Sequence, residues 1–191
     1  MTTKIGFQQE LPEEVVEQAK RGDMKAFEQI YRTYANACYS VALRICDQTT
    51  MAQDVMQESF VKVMRRIESF RGDGRFASWL KQIVIHETIN RIRSNNRIHL
   101  VGEDELLKSE SKDLFNQSWL DVCRDLDSFL SRLSTTARAV LLLHEVEGYS
   151  HREIANLFGK SESFSKITLF RAYAALKQLA EKQQERQNAL K

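Results

Sequence analysis

The sequence predicts an all-α protein of two small helical domains joined by a flexible linker, the C-terminal one containing a helix-turn-helix. Three observations predict it. Apolar residues recur at helical spacing through most of the chain, and no run alternates with β-branched residues as a strand would. The one proline sits at a helix start, and Gly22, Gly72, Gly74, Gly102, Gly148 and Gly159 fall between the periodic stretches. The net charge of +2 is also unevenly shared: residues 1–64 carry −2, 65–99 carry +5, 100–147 carry −5 and 148–191 carry +4. Two basic blocks separated by an acidic one imply two surfaces for a polyanion.

Taken in order, Pro12 opens a short helix reaching Lys20. Asp23 is the N-cap of a long helix to about Cys46, with Phe27, Ile30, Tyr31, Tyr34, Cys38, Val41, Ala42 and Ile45 as its apolar stripe. Thr50 and Gln53 read as a capping box for the next helix, whose Val55, Met56, Phe60, Val63, Met64 and Ile67 face inward. The run Arg71-Gly-Asp-Gly-Arg75 breaks it, and a further helix spans Phe76 to about Arg93. These pieces close one bundle near Arg97. The polar stretch from Ile98 to Gln117 reads as a linker. Periodicity resumes at Trp119, Ser134 caps a very apolar helix through Leu143, and the polar tail after Gln183 frays.

Several classes are excluded. An apolar content of 42% is enough for a modest core, but no run of some 18 apolar residues exists to cross a membrane. The first ten residues lack the apolar run of a signal peptide, which implies a cytoplasmic protein. Cys38, Cys46 and Cys123 form no metal spacing, Cys38 and Cys46 read as buried thiols in an apolar helical pattern, and His86, His99, His144 and His151 form no ligand set. No cofactor and no metal are expected. No catalytic constellation is visible either, since Asp54 and Glu58 share a helix without a partnering histidine.

The sharpest local signal is Gly148-Tyr-Ser-His-Arg-Glu-Ile-Ala-Asn-Leu-Phe-Gly159. Ser150 and Glu153 make a capping box, Ile154, Ala155 and Phe158 point one way, and Gly159 ends the helix. Ser161 caps the next helix, striped by Leu169, Ala172, Leu176 and Leu179. A short helix, a glycine turn and a longer helix form a helix-turn-helix whose second member enters the major groove. Its other face carries Ser163, Lys166, Ile167, Phe170 and Arg171; the cations suit guanine edges and phosphates, the apolar pair thymine methyls. In the other basic block, Phe70, Phe76 and Trp79 interleave with Arg71 and Arg75, followed by Lys81, Arg91, Arg93 and Arg97. That composition suits unpaired bases, and it suits core packing beside a solvated basic helix equally well.

Together these residues resemble the extracytoplasmic-function (ECF) sigma factors of bacterial RNA polymerase, within the sigma-70 family. Asp54, Gln57, Glu58 and Phe60 are similar to that family's Asp-x-x-Gln-Glu-x-Phe signature. Phe70-Arg-Gly-Asp73, Phe76-Ala-Ser-Trp-Leu80 and the C-terminal motif continue the resemblance, which covers about Glu13 to Lys182. It implies a region 2 domain over 10–97, an acidic linker over 98–117 and a region 4 domain over 118–183. It also implies docking on core RNA polymerase through Asp54, Gln57 and Glu58, with Phe60 inward. Melted minus-ten DNA would meet Arg71, Arg75, Phe76, Trp79, Lys81 and Gln82. Duplex minus-thirty-five DNA would meet Arg152, Lys160, Ser163, Lys166, Ile167, Phe170 and Arg171.

The implied partners are core polymerase, promoter DNA as duplex and as melted non-template strand, and an anti-sigma factor, with no membrane insertion. The chain departs from the family at His86 and Asn90, and at Phe164-Ser-Lys-Ile-Thr168, where Ser165 falls on the buried stripe and Thr168 replaces a frequent arginine. The alternatives on the residues are a stand-alone helix-turn-helix regulator and a purely structural helical adaptor.

Overall fold

The computed structural model describes residues 6–72, 74–98 and 128–189, and every regular element among them is helical. The chain divides into two compact units, Met1–Arg91 and Ile92–Lys191. The predicted linker from residue 99 onward, the start of the second domain, Asp73, His99 and Cys123 lie outside the described residues.

The first unit begins with a 3-10 turn at Gly6–Gln8 and helix α1, Glu13–Lys20. Helix α2, Met24–Cys46, starts where the Asp23 carboxylate accepts the backbone N–H groups of Lys25 and Ala26 at 2.8 and 3.4 Å, as the sequence predicts. Helix α3, Thr49–Arg66, does not begin with the expected capping box: its N-cap is Gln48, which makes no side-chain cap bond. Only Asp47 and Gln48 separate α2 from α3, and Asp47 turns the chain in a left-handed conformation, φ 56°. So short a connection winds Thr49 and Thr50 into the helix before either can cap it. Helix α4, Phe76–Ile98, runs five residues past its predicted end.

Ile30, Tyr34, Cys38 and Ala42 of α2, Ala52, Val55 and Val63 of α3, and Leu80, Val84 and Ile89 of α4 are buried. Tyr31 and Met64, expected to face inward, do not: they are 40% and 49% exposed. Burial pushes the Cys38 thiol up to about 12, so it stays protonated and unreactive. Two ion pairs tie α3 to α4, Asp54 to Arg91 at 3.2 Å and Lys62 to Glu87 at 2.6 Å.

In the second unit, residues 128–132 are helical and lead to α5, Thr135–Glu145. The Ser134 hydroxyl accepts the Ala137 N–H at 3.3 Å, forming the predicted cap. Helices α6, His151–Phe158, and α7, Glu162–Ala189, follow, all three packing on one another. Leu133, Ala139, Leu143 and Ile154 are fully buried at their junction. The tail expected to fray after Gln183 continues α7 to Ala189.

Candidate nucleic-acid interface

Around the Arg71–Arg75 loop the aromatic residues form a packed cluster. Phe70, Phe76 and Trp79 lie with ring centroids 5.4 to 5.5 Å apart, and Tyr34 of α2 approaches Phe76 at 6.2 Å. Phe76, expected at the DNA, is 8% exposed. Its ring fills the space beneath the loop, because a wholly apolar side chain at the first turn of α4 gains more from burial than from water. Trp79 is half-buried and keeps part of its ring at the surface. Arg71, Arg75 and Gln82 are exposed, Lys81 is half-buried, and Arg75 is ion-paired with Glu10. Lys20 adds a cation 5.4 Å above the Phe70 ring.

Further along α4, Ser78, Gln82, His86 and Asn90 are exposed at four-residue spacing while Leu80, Val84, Ile85 and Ile89 are buried. Ser78, His86 and Asn90 are missing from the sequence-derived contacts. Their signal was present as a polar residue at every fourth position.

A second surface lies on α3. Asp54, Gln57 and Glu58 are exposed at one-turn spacing, and the stripe continues through Val61 and Met64, 42% and 49% exposed. Met64 also lines a groove of about 380 Å³ with Lys20, Met24, Phe27 and Ile67. Phe60 is buried, its ring 4.8 Å from Tyr31. The arrangement is a polar turn leading into an apolar one. Asp54 differs from its neighbours because its carboxylate already engages Arg91.

The helix-turn-helix is built as predicted. The Ser150 hydroxyl accepts the Glu153 N–H at 3.3 Å while the Glu153 carboxylate accepts the Ser150 N–H at 2.8 Å and hydroxyl at 2.6 Å. These bonds hold the Glu153 carboxyl below the usual range. A group depressed in the fold stabilises it above its unfolded pKa, so this contribution is lost as pH falls through the lower, folded value. Gly159 closes α6 at φ 63°, in the left-handed region that favours glycine. The Ser161 hydroxyl accepts the Phe164 N–H at 3.3 Å to begin α7. Replacing Ser150 with Ala should cost about 1 kcal/mol, read as a lower urea midpoint with unchanged slope; an unaltered midpoint would show that the box adds nothing.

Ser163, Lys166, Ile167, Phe170 and Arg171 emerge on one exposed face of α7, with Arg152 and Lys160 exposed before it. Phe170 is 74% and Ile167 50% exposed, so an apolar pair stands among cations. Lys166 reaches Glu162 at 2.7 Å, and the pair holds the Glu162 carboxyl low. Ser165 is fully buried and satisfied by His151 Nδ1 at 3.0 Å; the His151 ring stacks on His144 at 4.4 Å, and His144 Nδ1 donates to the Tyr149 carbonyl at 2.9 Å. Sequence reasoning placed Ser165 inside but did not find this polar anchor, which spans α5, α6 and α7. It also missed Tyr173, 47% exposed, whose hydroxyl bonds Glu145.

The chain has clear relatives. A model of sigma-70 region 2 matches residues 30–98 and a model of sigma-70 region 4 matches residues 123–176. The chain is 28% identical to the RNA polymerase sigma-H factor of Pseudomonas aeruginosa over 88% of its own length and 93% of that protein's. It is 28% identical to the ECF RNA polymerase sigma-E factor of Salmonella typhimurium over 85% and 90%. The corresponding sigma-E factor of Escherichia coli K12 is 27% identical over the same shares. Among solved structures, the sigma factor RpoE of Bartonella quintana, crystallised with the anti-sigma factor NepR, shares the fold with a TM-score of 0.53 at 22% identity. That match covers 83% of this chain and 98% of the other.

Proposed function

Since the chain belongs to the sigma-70 family, in its ECF branch, we propose how its residues divide the work of a sigma factor. The protein is an alternative sigma factor: it binds core RNA polymerase and directs promoter-specific initiation, region 2 recognising the minus-ten element and region 4 the minus-thirty-five. Sigma factors are not enzymes; phosphodiester chemistry belongs to the polymerase. The carrying observation is that two sigma-70 regions match in order on separate stretches of one chain.

In this reading residues 10–97 form the region 2 domain, 98–117 the linker and 118–183 the region 4 domain. Gln57, Glu58, Val61 and Met64 make the polymerase-docking face, with Asp54 at its edge. Arg71, Arg75, Trp79, Lys81 and Gln82 meet the melted minus-ten strand, with Ser78, His86 and Asn90 continuing the surface and Phe76 supporting it from below. Exposed cations there neutralise phosphates, and the open part of Trp79 offers a face for a base. Arg152, Lys160, Ser163, Lys166, Ile167, Phe170 and Arg171 read the minus-thirty-five duplex. Strand capture then favours the open promoter, because the unpaired strand binds where the duplex does not.

An anti-sigma protein is a further partner in this reading, as for the B. quintana protein named above. No helix among the described residues is long and apolar enough to cross a membrane, and the proposed site of action is the cytoplasm, with the polymerase. Run-off transcription tests the whole: core polymerase with this chain should yield discrete transcripts from a promoter library. Tight duplex binding by the chain alone, with no programming of core, would favour a stand-alone regulator.

A further inference from the structure

The segment before α1 is fastened to the region 2 bundle beside the minus-ten loop. The Gln9 N–H bonds the Gly6 carbonyl at 3.1 Å, closing the 3-10 turn. Phe7 stacks on Tyr34 at 6.0 Å, and the Tyr34 hydroxyl donates to the Gln9 carbonyl at 2.9 Å. Tyr34 in turn packs on Phe76 at the root of the loop, 6.2 Å away. This fastening sets Glu10 against the guanidinium of Arg75, 65 residues further along the chain.

The pair is open to water on both sides, with Arg75 56% and Glu10 58% exposed. An exposed ion pair of this kind is worth about 1 kcal/mol at most, so its contribution to holding the bundle is small. Its effect on Arg75 is larger in kind. A guanidinium engaged by a carboxylate has fewer donors left for phosphate, and both ligands use the same fork of N–H groups. The carboxylate is tethered at the loop and is present before any DNA arrives.

We infer that Glu10 is a placeholder for a strand phosphate: it occupies Arg75 in the free protein and is displaced when the melted minus-ten strand binds. The contact keeps Arg75 presented at the loop and lowers the affinity for single strands, so that less of the protein is held on unpaired nucleic acid at large. The inference rests on the reading that Arg75 meets the minus-ten strand.

The test is a double-mutant cycle on holoenzyme made from core polymerase and the full chain. The probe is a fluorescent non-template oligonucleotide bearing the minus-ten element of a promoter recovered by run-off transcription. Glu10→Gln should bind it about two- to fivefold more tightly, the range that an exposed ion pair can supply. Arg75→Gln should bind it more weakly, with a salt slope shallower by about 0.7, one phosphate contact on a single strand. In the Arg75→Gln background, Glu10→Gln should then have no effect.

Weaker or unchanged binding by Glu10→Gln, while Arg75→Gln still weakens binding, overturns the placeholder and leaves the Arg75 assignment standing. Equal tightening in both backgrounds also overturns it, because Glu10 would then act by general repulsion. If Arg75→Gln changes neither affinity nor slope, the Arg75 assignment falls and the inference falls with it.

Discussion

Converting both Val61 and Met64 to Asp will weaken binding to core polymerase by about thirtyfold or more, while the chain keeps its fold and melts only a few degrees lower. The two side chains are 42% and 49% exposed, so each gives the bundle only part of its apolar surface and the fold survives its loss. On a docking face they are the apolar centre, with Gln57 and Glu58 as the adjoining polar turn. Truncation of an interface hot spot costs about 2 kcal/mol or more, roughly thirtyfold in affinity, and a buried carboxylate without a partner costs further. Asp54→Asn should change the affinity far less, because Asp54 is already committed to Arg91. A fluorescence titration of labelled chain with core polymerase measures both. Wild-type affinity in the double variant would remove α3 from the interface.

At the other end of the chain, Phe170→Ala and Arg171→Ala should each weaken holoenzyme binding to a minus-thirty-five duplex by about ten- to a hundredfold, the worth of one good base contact. Binding to core should not change. The two variants differ in kind. Arg171 can bond a guanine edge or a phosphate, and only the phosphate contact makes the salt dependence shallower when it is lost. Phe170, 74% exposed, can only pack, so its loss should leave the salt slope intact and be felt most where a thymine methyl meets it. Loss of polymerase binding or of thermal stability in either variant would make that residue structural.

Much of this was legible because capping is local. Asp23, Ser134, Ser150, Glu153 and Ser161 each bond a backbone N–H within three residues, a distance that the sequence displays directly. Thr50 failed as a cap for an equally local reason, the two-residue turn through left-handed Asp47. Tyr31 and Met64 were misplaced because an apolar residue left at the surface is indistinguishable in periodicity from one in the core. Phe76 and Trp79 stood between two readings for the same reason; Phe76 is buried, and Trp79 keeps part of its ring at the surface. The Glu10–Arg75 pair and the His144–His151–Ser165 anchor join residues distant in sequence or on different helices. No spacing rule announces such contacts.

The two ion pairs that bind α3 to α4 have a mechanical consequence. On the proposed reading α3 carries the face for the polymerase and α4 the face for the opened strand; the crossbars start from Asp54 and Lys62 on α3 and meet Arg91 and Glu87, one turn apart on α4, and with the buried apolar residues of both helices they oppose sliding. Such a unit is a ruler. On that reading the spacing of two helices would set the distance from the enzyme to the first captured base, and with it the position at which transcripts begin.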